Sequence, residues 1–169
     1  WKIARKDREL ELAEHLFVAS EMVRLSAVEA GFPAERITLI PYGAPIHSFQ
    51  PRVAPPATFT ALYVGLVGPR KGAHYLLEAW RGLALGDARL RLVGSLEFPA
   101  DWFGANLGSA EYVGPVPHVA LADIYRGASV FVLPTLVEGS AMVILEALAC
   151  GVPVITTPNA GGVVRDGVD

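Results

Sequence analysis

The sequence predicts an α/β domain, a parallel sheet with helices on both faces, and two observations carry that prediction. From residue 59 onward, strand-like apolar runs alternate with helix-favouring stretches, the pattern that gives a parallel sheet covered on either side. A hydrophobic content of 52% in 169 residues, with a mean hydropathy of +0.39, supplies one well-packed core and excludes a disordered chain.

The elements follow in order. Residues 5–14 are charge-rich and helix-favouring, and 16–19 form a short strand. Ser20 suits the N-cap of a helix that runs to Glu29 and stops at Gly31 and Pro33. Residues 37–40 make another strand. The stretch 48–58 holds three prolines and no periodicity, which marks a linker. Beyond it come a strand over 59–64, a helix over Ala73–Arg81, a strand over Arg89–Val93 and a short strand around Tyr112. A helix over 120–126, a strand over Val130–Leu133, a helix over 141–150 and a strand over Val154–Thr156 complete the series. No internal repeat is visible. No Met opens the chain and no closing element ends it, so the expectation is a segment of a longer protein.

Charge and composition exclude several classes. A net charge of −3, with Lys and Arg scattered, provides no basic stripe for nucleic acid. The longest apolar runs fall far short of the roughly 18 residues of a membrane span. The basic opening Trp1–Lys6 lacks a following apolar signal region, because Asp7, Arg8, Glu9 and Glu11 arrive at once. The single Cys150 has no partner for an internal disulfide and reads as a small buried residue. His15, His47, His74 and His118 lack zinc-ligand spacing, so no metal is expected, and His118 reads as a capping or surface residue. In the helix after Gly72, Leu76, Leu77 and Trp80 read as core and Glu78 as solvated.

Ligands of such sheets bind where strands turn into helices. The turn after the strand at 59–64 reads Gly65-Leu66-Val67-Gly68-Pro69-Arg70-Lys71-Gly72, placing two cations beside a helix start. That combination suits a phosphate or diphosphate, and equally a solvated surface turn. The turn after Val130–Leu133 reads Pro134-Thr135-Leu136-Val137-Glu138-Gly139-Ser140, where Glu138 favours the helix dipole and Ser140 suits an N-cap. Glu146 sits inside the apolar helix that follows, and an unpaired buried carboxylate costs several kcal/mol, roughly. It therefore faces a cleft, a cation or a bound hydroxyl. Two carboxylates at this spacing can accept hydrogen bonds from the hydroxyls of a hexose and a ribose, while Gly139 allows close backbone approach. A ligand with phosphates in the middle and diols at both ends is a nucleotide sugar.

The pattern Glu138-x7-Glu146 followed by A-L-A-C-G-V-P-V-I-T-T, with V-G-L-V-G-P-R-K-G-A-H-Y-L-L-E-A upstream, resembles the carboxy-terminal donor-binding domain of family-four retaining glycosyltransferases. Supporting stretches are A-S-E-M-V-R near residue 20, I-P-Y-G at 40–43, Y-V-G-P-V-P at 112–117 and P-N-A-G-G-V-V-R-D-G at 158–167. The resemblance implies one half of a GT-B architecture, a Rossmann-like sheet. Residues 1–47 would be the end of an amino-terminal acceptor domain with the crossover, 48–58 the linker, and 59–169 the nucleotide-sugar donor domain, truncated at its carboxy terminus. It implies that Lys71 contacts the donor diphosphate, that Glu138 and the amides of Gly139, Ser140, Ala141 and Met142 hold the transferred sugar, and that Glu146 binds the ribose. Gly65, Arg70 and Val116 fall along the same donor site, and Lys71 and Glu138 are the expected catalytic pair. Many members carry Arg directly after the first glycine of the phosphate turn. This chain has Leu66, which leaves Arg70 as the candidate substitute. Many also read Gly-Phe-Gly after the first glutamate, where this chain has Gly139-Ser140-Ala141.

The expected reaction is transfer of a sugar from a UDP-, GDP- or ADP-sugar to an acceptor bound by the preceding domain, without a cofactor or metal. The chain alone is expected to bind donor without turnover. The expected location is cytoplasmic, with room for peripheral membrane association of the full-length protein. A sugar-nucleotide epimerase of similar architecture and a non-catalytic nucleotide-binding module remain the alternatives.

Overall fold

The computed structural model describes residues 2–162, 164 and 167, with Lys2, Ile3, Ala4 and Lys6 described by backbone alone. The motif at 158–167 therefore lies partly outside the described residues, at Val163, Arg165 and Asp166. The chain opens with α1 (Lys2–Leu12), β1 (Leu16–Val18), α2 (Glu21–Glu29) and β2 (Ile37–Leu39). Then follow β3 (Thr60–Val64), α3 (Ala73–Arg81), β4 (Arg89–Val93), α4 (Ala100–Leu107) and β5 (Glu111–Gly114). Last come α5 (Leu121–Arg126), β6 (Val130–Leu133), α6 (Met142–Ala149) and β7 (Val154–Thr156). Single 3-10 turns occupy Ala34–Arg36, His118–Ala120 and Pro158–Ala160.

β1 and β2 form a two-stranded parallel sheet, with Leu16 opposite Ile37. The remaining strands form a five-stranded parallel sheet in the order β5-β4-β3-β6-β7. The chain thus winds outward from β3 through β4 to β5, then returns to lay β6 on the other side of β3 and continues to β7. β3 and β6 are neighbours, with Leu62 opposite Phe131, although their connections leave in opposite directions. A sheet of this kind opens a crevice at the carboxyl ends of those two strands.

Burial follows from the topology. Every residue of β3 is buried, as a central strand with both faces covered must be, whereas Ile155 of the edge strand β7 is exposed. Leu62, Tyr63, Leu90, Leu92, Phe131, Leu133 and Ile144 form the centre of the core. Each such aliphatic side chain contributes about 1.5–3 kcal/mol relative to an exposed one. In α3, Leu76, Leu77 and Trp80 are buried and Glu78 is exposed, as its pattern predicts.

Most element bounds agree with the sequence reading to within a residue or two, with these differences. α4 is an additional helix, started by Pro99, that buries only Phe103 and packs against α3. The helix expected over 120–126 is preceded by a 3-10 turn, so its regular part begins at Leu121. Ser140 does not cap α6: Ala141 occupies that position and makes no side-chain cap. Ser20 does cap α2, its hydroxyl accepting from Val23 N at 3.3 Å.

The proline-rich stretch over 48–58 contains neither helix nor strand, but it is tied down. Phe49 is 2% exposed, Arg52 N donates to Cys150 O at 3.1 Å, and the Arg52 guanidinium donates to Ala128 O.

Gly72, just before α3, has φ +71, and a Cβ there would collide with Pro134 O of the turn after β6. Gly72→Ala is therefore expected to lower stability in urea by about 1–3 kcal/mol. Gly82→Ala at the other end of α3, where φ is −78, is expected to change it little. Equal urea midpoints for the two variants would contradict this packing.

Candidate functional site

The two turns singled out in the sequence meet at the crevice between β3 and β6. Leu136 N donates to Arg70 O at 2.9 Å and Thr135 Oγ1 to the same carbonyl at 3.2 Å, so the backbones are joined before any charge is considered. On that frame Lys71 Nζ lies 2.8 Å from Glu138 Oε1, both side chains being largely buried. The half-exposed Arg70 guanidinium reaches the same oxygen and donates to Val137 O at 3.2 Å. Two cations thus face one carboxylate, so these three side chains carry net positive charge, which the exposed Glu97 carboxylate against Gly68 of the same turn reduces. A partly desolvated cluster of that sign attracts an anion. Glu138 Oε2 accepts no hydrogen bond among the described residues.

The loop that carries Glu138 is held from behind. Glu138 N donates to Asn159 O at 2.9 Å and Ala141 N to Ala160 O at 3.1 Å, which hang the loop on the 3-10 turn after β7. From the other side, the Ser20 hydroxyl at the start of α2 donates to Gly139 O. The amides of Ser140, Met142 and Val143 donate to no backbone acceptor among the described residues. With the α6 dipole behind them they form a set of open donors.

Glu146 lies apart from this cluster. Its side chain is 6% exposed, and both oxygens have partners. Tyr125 OH donates to Oε2 at 3.0 Å, and His118 Nε2 stands 3.1 Å from Oε1. His118 is at the surface, as expected, but it caps nothing by side chain; its ring is committed to Glu146. Neither partner was legible in the sequence, since Tyr125 and His118 lie 21 and 28 residues before Glu146 on a separate helix and turn.

Gly65 and Val116 line one cavity of about 310 Å³ together with Leu66, Gly94, Ser95 and Leu121. A methyl group built on Gly65 would stand 3.9 Å from Lys71 Cε, so the cavity adjoins the ion pair. The structure thus brings together Gly65, Arg70, Lys71, Glu138 and the loop from Gly139 to Met142, with Val116 across the cavity. Among the described residues no three His, Cys, Asp or Glu side chains converge as metal ligands would.

Burial pushes the Tyr125 phenol well above its usual range, and the adjacent Glu146 carboxylate adds to that shift. Burial does the same to Tyr63, with Glu138 as the next cause, while its hydroxyl donates to Leu66 O at 2.7 Å. An unfolded phenol ionises near pH 10, roughly, whereas the folded Tyr125 keeps its proton there. Its stabilisation is therefore complete below that pH and is lost as pH rises further. Tyr125→Phe is expected to cost about 1–3 kcal/mol at pH 7, because a buried carboxylate oxygen loses its donor. It should also flatten the loss of stability above about pH 10. Urea unfolding as a function of pH measures both, and parallel curves for parent and variant would contradict the assignment.

Residues 58–169 match the glycosyl transferases group 1 family. The chain is 30% identical to D-inositol 3-phosphate glycosyltransferase 2 of Catenulispora acidiphila, covering 95% of this chain and 44% of that protein. It is 36% identical to O-antigen chain mannosyltransferase B of Escherichia coli over 56% of this chain and 27% of that protein. The chain therefore spans less than half the length of these curated relatives. Among solved structures, sucrose-phosphate synthase of Thermosynechococcus elongatus superposes with a TM-score of 0.75 at 29% identity, covering 92% of this chain and 43% of that one. Anabaena HepE in complex with UDP and glucose superposes with a TM-score of 0.75 at 18% identity, covering 92% and 49%, and shares the fold. Among the described residues no helix is long and apolar enough to cross a membrane. The chain belongs to the glycosyl transferases group 1 family, as part of a GT-B fold.

Proposed function

We propose that this chain is the donor half of a retaining glycosyltransferase and binds a nucleotide sugar in the crevice between β3 and β6. The observation that carries the reading is the Lys71–Glu138 pair, with Arg70 beside it and the open amides of α6 next to it. Cations and amide donors at a helix start suit a diphosphate. The unengaged Oε2 of Glu138 suits a hydroxyl of the sugar attached to it. In this arrangement the cavity between Gly65 and Val116 takes the nucleoside, Glu146 accepts from the ribose, and Gly139 to Met142 line the sugar. The crystallised complexes of Anabaena HepE with UDP and with UDP-glucose support a nucleotide-sugar ligand for this fold.

During transfer the bond between the anomeric carbon and the donor oxygen breaks, the acceptor hydroxyl oxygen bonds to that carbon on the same face, and the hydroxyl proton passes to the departing diphosphate, on which negative charge grows. Lys71 and Arg70 stabilise that charge and do so more strongly in the transition state than before it. Glu138 orients the sugar and holds Lys71 in place, while Glu146 is too enclosed by Tyr125 and His118 to exchange protons with a reacting centre. The two glutamates are thus binding groups and not an acid and base pair. No metal takes part in this scheme. On the same reading residues 1–47 end an amino-terminal acceptor domain, 48–58 are the crossover, and 59–169 are the donor domain. Turnover then requires the preceding domain, and no observation favours an epimerase or a non-catalytic module.

Calorimetric titration with UDP, GDP and ADP tests the reading. One nucleotide should bind, and Lys71→Ala and Glu146→Ala should each weaken it by about tenfold or more while circular dichroism remains parental. Parental affinity in both folded variants would refute the site.

A further inference from the structure

We infer that His118 is a positioning residue for ribose recognition: it fixes the plane of the Glu146 carboxylate, so that the lone pairs left over accept from the ribose hydroxyls of a nucleoside diphosphate. The inference rests on the donor-binding reading above. A carboxylate on a flexible stem turns easily about its last bond, because that torsion has a broad and shallow profile. Tyr125 OH anchors only Oε2 and leaves that rotation open. His118 Nε2, 3.1 Å from Oε1, is the second anchor on the other oxygen, and two anchors define a plane. An ionised carboxylate only accepts, so the ring nitrogen facing it carries the hydrogen. Two of the roughly four lone-pair positions then remain for a diol.

The histidine is itself braced. Its side chain is 64% exposed, yet the ring meets Phe49 edge-on at 5.4 Å between centroids, and Phe49 meets Tyr125 at 5.9 Å. Phe49 belongs to the irregular stretch before β3 and is buried beneath both rings. Val116 and Leu121, on either side of His118 in sequence, line the cavity assigned to the nucleoside. A solvated histidine with a purely structural role would affect neither ligand choice nor affinity.

The test is calorimetric titration of the chain with UDP, GDP and ADP alongside their 2′,3′-dideoxy counterparts. The parent should prefer the ribonucleotide by about tenfold or more, and Glu146→Ala should abolish that preference. His118→Ala should remove most of it without changing dideoxynucleotide affinity, while lowering the melting temperature because Oε1 of the buried carboxylate loses its partner, and His118→Gln, which restores a nitrogen donor at similar reach, should recover both. An undiminished preference in His118→Ala overturns the inference and leaves the ribose role of Glu146 standing. Equal loss for both nucleotide types also overturns it. If the parent binds a nucleotide without preferring ribose, the inference falls with the ribose role of Glu146 while the diphosphate site at Lys71 stands; if it binds none of the three, the donor-binding reading falls and the inference with it.

Discussion

The contact between the turns after β3 and β6 is the constraint on which the rest of the site depends. Leu136 N and Thr135 Oγ1 both bond the Arg70 carbonyl, and Gly72 has no side chain because Pro134 O occupies that space. Only with the backbones locked this closely can Lys71 reach Glu138 at 2.8 Å. The strand order explains why these turns meet at all. Had β6 been added beyond β5, the cation turn and the carboxylate turn would lie on opposite sides of the sheet. The return to β3 creates a crevice and lines it with opposite charges.

That pairing also sets the electrostatic state of the unliganded site. Buried cations without partners would incur a large desolvation cost, and Glu138 offsets it for Lys71. On the proposed reading a diphosphate would bring more charge than one carboxylate and compete for the same two cations, while Glu138 keeps one oxygen available. The cations would then be gathered before ligand arrives. Glu146 is held by a different device, a tyrosine hydroxyl and an imidazole nitrogen in an aromatic setting. The segment that carries Phe49 takes part in that setting, so the irregular stretch before β3 is joined to the site as well as leading into it.

β3 and β6 were legible because a strand covered on both faces is largely apolar along its length, and runs such as Val130–Leu133 have few other meanings. α3 was legible from Gly72 at one end and its spacing of Leu76, Leu77 and Trp80. α4 was not, because Ala100–Leu107 contains Gly104 and Asn106, buries a single residue and shows no clear periodicity. The charged residues of the site could be named in advance, since Arg70, Lys71, Glu138 and Glu146 stand out against apolar surroundings. Their partners could not: the contacts of Glu146 come from Tyr125 and His118, which sequence separation leaves unrelated until the sheet is assembled. Likewise nothing local in Ser20 announces its bond to Gly139 O, because a hydroxyl that caps a helix looks the same whether or not it also donates elsewhere.

The central claim is that a nucleoside diphosphate seats where β3 and β6 diverge. Amide chemical shifts of the isotopically labelled chain on addition of UDP, GDP or ADP test it most directly. The account predicts that one nucleotide shifts residues 65–72, 114–118 and 138–146 together and leaves the cleft of His74, Phe98 and Trp102 unperturbed. Shifts confined to that aromatic cleft, or absent with all three nucleotides, would contradict it.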